Sequence, residues 1–129
     1  MVNKVQIIGR LGSEPEAKTI SSGKTVTRFN VATSEFWVDR DGQKQERTEW
    51  HKVVVWNELA VNCERFLKKG LLVYVEGRIQ TRSWETDQGE KRYTTEVVGN
   101  SVKFLEKASE GNKDFGSEPS FDSNEEIPF

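Results

Sequence analysis

The chain is poor in the residues that carry most cofactor-free catalysis and most metal binding: it has one cysteine, Cys63, and one histidine, His51. A single cysteine excludes an intrachain disulfide, and a lone thiol is the ordinary state of a protein kept in a reducing compartment. The cytoplasm is therefore the expected location. One Cys and one His also leave no Cys/His cluster of the usual metal-ligand spacing, so neither a metal nor another cofactor is expected. No apolar run reaches the roughly 20 residues of a membrane span, and the start Met1-Val2-Asn3-Lys4 has neither a signal-like apolar stretch nor an Arg/Ser-rich presequence. No membrane partner is expected. Proline is scarce, with 3 in 129 residues, and two of the three fall outside the patterned interior, at Pro119 and Pro128.

What is present is divided unevenly. The net charge of -2 sums a body, residues 1–108, with 18 Lys+Arg against 15 Asp+Glu, and a tail, residues 109–129, with 1 against 6. The body is therefore +3 and the tail -5, so an acidic whole carries a mildly basic domain. After Ala108 the apolar periodicity stops and Gly, Ser, Asn and acidic residues take over, a composition that offers no core to offset ordering entropy. Residues 109–123 read as a short linker and residues 124–129 as a separate tip.

Within the body, β-branched runs with turn signals predict five strands: residues 4–12, 25–34, 48–56, 71–84 and 92–104. Ser22-Gly23, Asp41-Gly42 and Gln88-Gly89 punctuate them. The second and third strands are expected to form a long hairpin tipped by Arg40, Lys44 and Arg47. One helix is expected over residues 57–69, with Asn57 as its cap, Glu58 at its positive end, Leu59, Cys63, Phe66 and Leu67 on its core face, Lys68 and Lys69 at its negative end and Gly70 ending it. Three strands, a helix and two strands is the element order of the OB fold, a five-stranded Greek-key barrel that binds oligonucleotides or oligosaccharides. The fold class is mainly β.

Trp50, Lys52, Val54 and Trp56 alternate along one strand and share a face. Aromatic rings interleaved with a cation make a platform on which any base can stack, with cations following the phosphates. Trp84 shares its face with Arg78 and Arg82 rather than with Val75 and Ile79, and Trp37 lies in an apolar stretch near the hairpin tip. Core packing is the commonest use of a tryptophan, and it stands as the other reading of each of these, above all of Trp37. Arg28, Lys52, Arg78, Arg82 and Arg92 are candidate phosphate contacts, which makes binding steeply salt-dependent. Each taken alone is equally a solvated surface charge. His51 points to the opposite face from Trp50 and reads as a hydrogen-bonded structural residue; no catalytic constellation accompanies it. An enzyme is not expected.

The segments Asn3-Lys4-Val5, Gly9-Arg10-Leu11-Gly12, Ala32-Thr33-Ser34-Glu35, Thr48-Glu49-Trp50-His51-Lys52-Val53-Val54, Lys69-Gly70, Val75-Glu76-Gly77, Thr81-Arg82 and Tyr93-Thr94-Thr95-Glu96-Val97-Val98 together resemble the bacterial single-stranded DNA-binding protein family. The resemblance covers Met1 to about Leu105 and the last three residues. It implies a homotetramer of OB folds around which single-stranded DNA wraps, with Trp37, Trp50, Trp56 and Trp84 as stacking positions and His51 and Tyr74 at subunit interfaces. It also implies that Glu125, Glu126, Ile127, Pro128 and Phe129 dock replication, recombination and repair proteins, in a bacterial cytoplasm and associated with the nucleoid. The chain departs from the family in three places. Many relatives carry phenylalanine at the position of Trp56, the linker is short, and the tip has two glutamates after Asn124 instead of an aspartate run. A second reading is an OB-fold assembly factor at replication forks that binds partners more strongly than DNA; the retained aromatic set argues against it.

Overall fold

A computed structural model describes residues 1–106. In chain order these form β1 (Val5–Leu11), β2 (Glu16–Thr19), β3 (Thr25–Val38), β4 (Lys44–Trp56), α1 (Asn57–Phe66), β5 (Leu72–Glu85) and β6 (Lys91–Phe104). The sheet runs β1-β5-β6-β4-β3-β2, and a further pairing of β1 with β3 closes it into a barrel. The barrel strands are β1, β3, β4, β5 and β6, so the helix lies between the third and fourth of them, as an OB fold requires. The short β2 is an edge strand paired only with β3, and its exposed, charged sequence Glu-Ala-Lys-Thr carries no apolar alternation by which it could be read in advance.

Alternation builds the core. Ile7 and Leu11 of β1, Phe29 and Val31 of β3, Val53 and Val55 of β4, Val73 and Val75 of β5, and Val97 of β6 all point inward. The mouth of the barrel is plugged by α1, which buries Ala60 and Cys63, and by Leu67 just beyond it. Burial in this apolar setting pushes the Cys63 thiol up to about 12, so it stays protonated and unreactive. The buried Thr27 hydroxyl donates to the Ala60 carbonyl at 2.8 Å and so pins the helix to β3.

The helix differs from its expected form at both ends. It stops at Phe66, and Lys68, Lys69 and Gly70 form the turn leading to β5. Gly70 serves that turn, with φ at +91° and its N–H donating to the Leu11 carbonyl at 2.8 Å. Asn57 is no cap: Trp56 holds that position, no side chain caps the first turn, and Asn57 takes a left-handed φ of 62°. The reason is the zero-length junction. β4 runs directly into α1, and asparagine tolerates the reversal this forces better than most residues. Phe66 is 48% exposed rather than buried, because Ala60, Cys63 and Leu67 already fill the inward stripe. No helix among the described residues is long and apolar enough to cross a membrane.

β3 and β4 pair without interruption from Val26 opposite Trp56 to Val38 opposite Lys44, so their outer halves leave the barrel as a ribbon. Asp39 secures the tip of that ribbon. Its carboxylate accepts from the N–H groups of Asp41 and Gln43, both at 2.9 Å, and from the Gln45 side chain at 3.0 Å. These donors, the Gln43 amide first, hold the Asp39 carboxyl below the usual carboxylate range. Ile79 keeps the inward phase of Val73 and Val75 and opposes the buried Val97, yet it is exposed, at the step where β5 and β6 begin to run on as a hairpin.

Candidate nucleic-acid interface

The strand register places the candidate residues relative to one another. Directly opposed residues share a sheet face. In β3 and β4, Val26 opposes Trp56, Arg28 opposes Val54, Asn30 opposes Lys52 and Ala32 opposes Trp50. The parallel pairing of Val54 with Val98 carries that face onto β6. From β6 it continues to β5, where Val98 opposes Arg78, Glu96 opposes Gln80, Thr94 opposes Arg82 and Arg92 opposes Trp84. Eight of the candidates, Trp50, Trp56, Trp84, Arg28, Lys52, Arg78, Arg82 and Arg92, therefore stand on one outward face spanning four strands. The ninth, Trp37, does not. It opposes Gln45 on the other face of the ribbon, in ladder phase with His51.

The rings are not equivalent. Trp50 is 58% and Trp84 47% exposed, each offering a π surface to solvent. The Trp84 indole N–H donates to the Thr94 hydroxyl at 3.2 Å, fixing the ring's tilt. Trp56 is half-buried against Ile20, Val26, Val54 and Val98, a small apolar cluster on the outer side of the sheet. That cluster gives Trp56 a packing role as well as an exposed edge.

The same face holds an open depression of about 310 Å³ lined by Arg28, Lys52 and Arg82 together with Asn30, Glu16 and Glu96. Glu96 is only 5% exposed, and it accepts from Arg82 Nε at 3.3 Å. A buried carboxylate costs stability unless paired, and here its partner is a cation of the face itself. Arg82 is thereby held in place rather than left to sweep solvent. Arg92 pairs with Glu90 at 2.9 Å, an exposed contact of small energetic weight.

Gly12 is a member of this site that sequence pattern did not single out. A Cβ there would overlap the benzo edge of the Trp50 ring, which lies over the glycine backbone. The Gly12 N–H donates to the Asn30 carbonyl at 3.0 Å, so the seat under Trp50 is fixed to β3. Only the pairing of β3 with β1 on one side and β4 on the other brings Gly12 and Trp50 together.

His51 faces away from the cations, its Nε2 2.9 Å from the Thr33 hydroxyl. Tyr74 is half-buried near the start of β5, donating to Glu76 at 2.6 Å and accepting from Gln6 at 3.0 Å. Lys4 adds an ion pair to Glu76 at 3.0 Å. The Tyr74 hydroxyl, then Lys4, hold the Glu76 carboxyl below its usual range. The tip residues Glu125, Glu126, Ile127, Pro128 and Phe129 lie outside the described residues. Among the described residues no three His, Cys, Asp or Glu side chains are grouped to hold a metal.

Residues 2–105 match the Single-strand binding protein family. The chain is 46% identical over 127 residues to Single-stranded DNA-binding protein 1 of Chlorobaculum tepidum, covering 95% of this chain and 75% of that protein. It is 48% identical over 104 residues to the Single-stranded DNA-binding protein of Neisseria meningitidis, covering 81% of this chain and 60% of that one. Among solved structures, a Plasmodium falciparum SSB in complex with ssDNA superposes with a TM-score of 0.74 at 36% identity, over 82% of this chain and 97% of that one. On the match across residues 2–105 and these identities, the chain belongs to the single-strand binding protein family.

Proposed function

We propose that this protein binds and protects single-stranded DNA with little sequence preference during replication, recombination and repair. The observation that carries the reading is the shared outward face of Trp50, Trp56 and Trp84 with Arg28, Lys52, Arg78, Arg82 and Arg92. Stacking uses the π face that every base has, and the cations meet phosphates, so neither reads base identity. Duplex DNA hides its base faces and is excluded by the same geometry. A site on the order of 4–16 nucleotides per OB fold is expected.

The working form is a homotetramer, on the resemblance of the sequence to its family, with His51 and Tyr74 at subunit contacts. Wrapping DNA around four copies accounts for Trp37: on the reverse face of the ribbon, it meets the strand where DNA passes from one copy to the next. Glu125, Glu126, Ile127, Pro128 and Phe129 recruit partner proteins, since apolar groups beside carboxylates in a segment without a core are anchors for a basic, apolar pocket. The site of action is the bacterial nucleoid.

Titration with oligo(dT), followed by intrinsic tryptophan fluorescence at low and high salt, tests the central reading. Deep quenching by the single strand, weaker at high salt and absent with duplex of equal length, is the expected result. Absence of quenching together with absence of binding in a gel-shift assay would overturn it and favour the partner-assembly reading.

A further inference from the structure

Beyond Trp50 the outward face does not end. The uninterrupted register puts Thr48 opposite Ser34, Glu46 opposite Phe36 and Lys44 opposite Val38, all in phase with Trp50 and Ala32. The Ser34 and Thr48 hydroxyls lie 3.2 Å apart, which fixes the two strands' shared face at that step. Phe36 is 73% exposed, far more than any of the tryptophans. Among the described residues its ring is paired with no other, although Trp37 follows it in the chain and lines the same surface hollow; the paired rings there are Phe66 and Phe104, 6.1 Å apart.

An apolar ring held in water on a strand costs free energy that no packing within the described domain returns. Its place in the ladder suggests where the return comes from. Phe36 lies four residues beyond Ala32, hence about 13 Å further along the ribbon from the Trp50 station. The diagonal Lys44 is near enough to meet a phosphate, while Glu46, directly across, keeps phosphates off the ring itself. The Asp39 turn locks the ribbon tip and so limits the ordering cost of binding there.

We propose that Phe36 is a further base-stacking residue, extending the single-stranded DNA track from the barrel onto the β3–β4 ribbon. The proposal rests on the single-stranded DNA reading and adds a contact that the tryptophan pattern does not include.

The test uses the full chain with oligo(dT) carrying 5-iododeoxyuridine. After irradiation, fragmentation of the peptide spanning residues 29–40 tells an adduct on Phe36 from one on Trp37. The expected result is an adduct on Phe36, about tenfold weaker binding for Phe36→Ala and recovery for Phe36→Trp, with melting temperature and assembly size unchanged. Wild-type binding with adducts elsewhere and unchanged affinity of Phe36→Ala would overturn the proposal while leaving the wider reading intact. A change of assembly size in Phe36→Ala would overturn it too, by assigning the ring to a contact between copies. Failure of the wild-type chain to bind oligo(dT) at all would remove both.

Discussion

The two faces of β4 divide one pleated strand between two tasks. Val53 and Val55 point into the barrel and are sealed from water, while Trp50 and Lys52, one residue out of phase, stay exposed beside Arg28 and Arg82. On the outward face, Val54 is as buried as Val53 and Trp56 is half-buried, both packed into its small apolar cluster. Inward positions therefore secure the fold, the exposed outward ones are those proposed to hold the strand, and Trp56 is placed to serve both. A one-residue slip of register would exchange the two sets, so the fold and the site specify each other.

The comparison breaks most severely from the inside. Val55→Asp buries an unpaired charge at a position without solvent contact, at a cost of several kcal/mol against a total stability of roughly 5–15 kcal/mol. The variant should be insoluble or molten by circular dichroism. Removing outward rings should do the reverse: Trp50→Ala or Trp84→Ala loses about 1–3 kcal/mol of binding to oligo(dT), measured by titration calorimetry, with an unchanged melting temperature. Trp56→Ala sharpens the contrast by losing about 1–3 kcal/mol on both measurements.

A subtler break goes through Gly12. Gly12→Val leaves Trp50 in the sequence but displaces its ring, so affinity should fall toward that of Trp50→Ala, while the accessibility of Trp50 to a neutral quencher such as acrylamide rises. Equal affinity to wild type would show that the seat is dispensable. Smaller still are the single cations: Lys52→Ala should lower the slope of log affinity against log salt by about 0.7, as expected for one lost phosphate contact with a single strand.

The smallest effect is one of pH. The Tyr74 and Lys4 partners depress the Glu76 carboxyl, so the network they make is complete above the unfolded carboxylate range and is lost as pH falls through the lower folded value. In Tyr74→Phe the Glu76 resonance should titrate at higher pH than in wild type when followed by NMR. An unchanged titration would mean that the hydroxyl does not hold the carboxylate.

Much of this was legible in the sequence, because both main signals are periodic. Alternation along residues 48–56 and 71–84 separates Trp50, Lys52, Arg82 and Trp84 from Val53, Val73 and Val75 without any knowledge of neighbours. The element order gave the barrel. What escaped depends on contacts distant along the chain. Nothing local in Glu-Ala-Lys-Thr signals an edge strand, and the space above Gly12 is claimed by a ring 38 positions later. Asn57 fits a cap by residue type, because Asn, Asp and Ser favour that role, but the direct strand-to-helix junction uses its tolerance of left-handed backbone instead. Phe66 followed the helical period, yet Ala60, Cys63 and Leu67 suffice to close the barrel mouth. The strand pattern left Trp37 open between packing and stacking, and only the family resemblance grouped it with the other tryptophans; the register places it on the reverse of the ribbon.

The most direct test of the central claim is side-chain oxidation of the tryptophans by hydroxyl radicals, read residue by residue by mass spectrometry, free and saturated with oligo(dT). The account predicts strong protection of Trp50 and Trp84 by the single strand and none by duplex of equal length. Unchanged oxidation of both rings in a saturated complex would contradict it, because DNA would then be bound somewhere other than the outward face of the barrel.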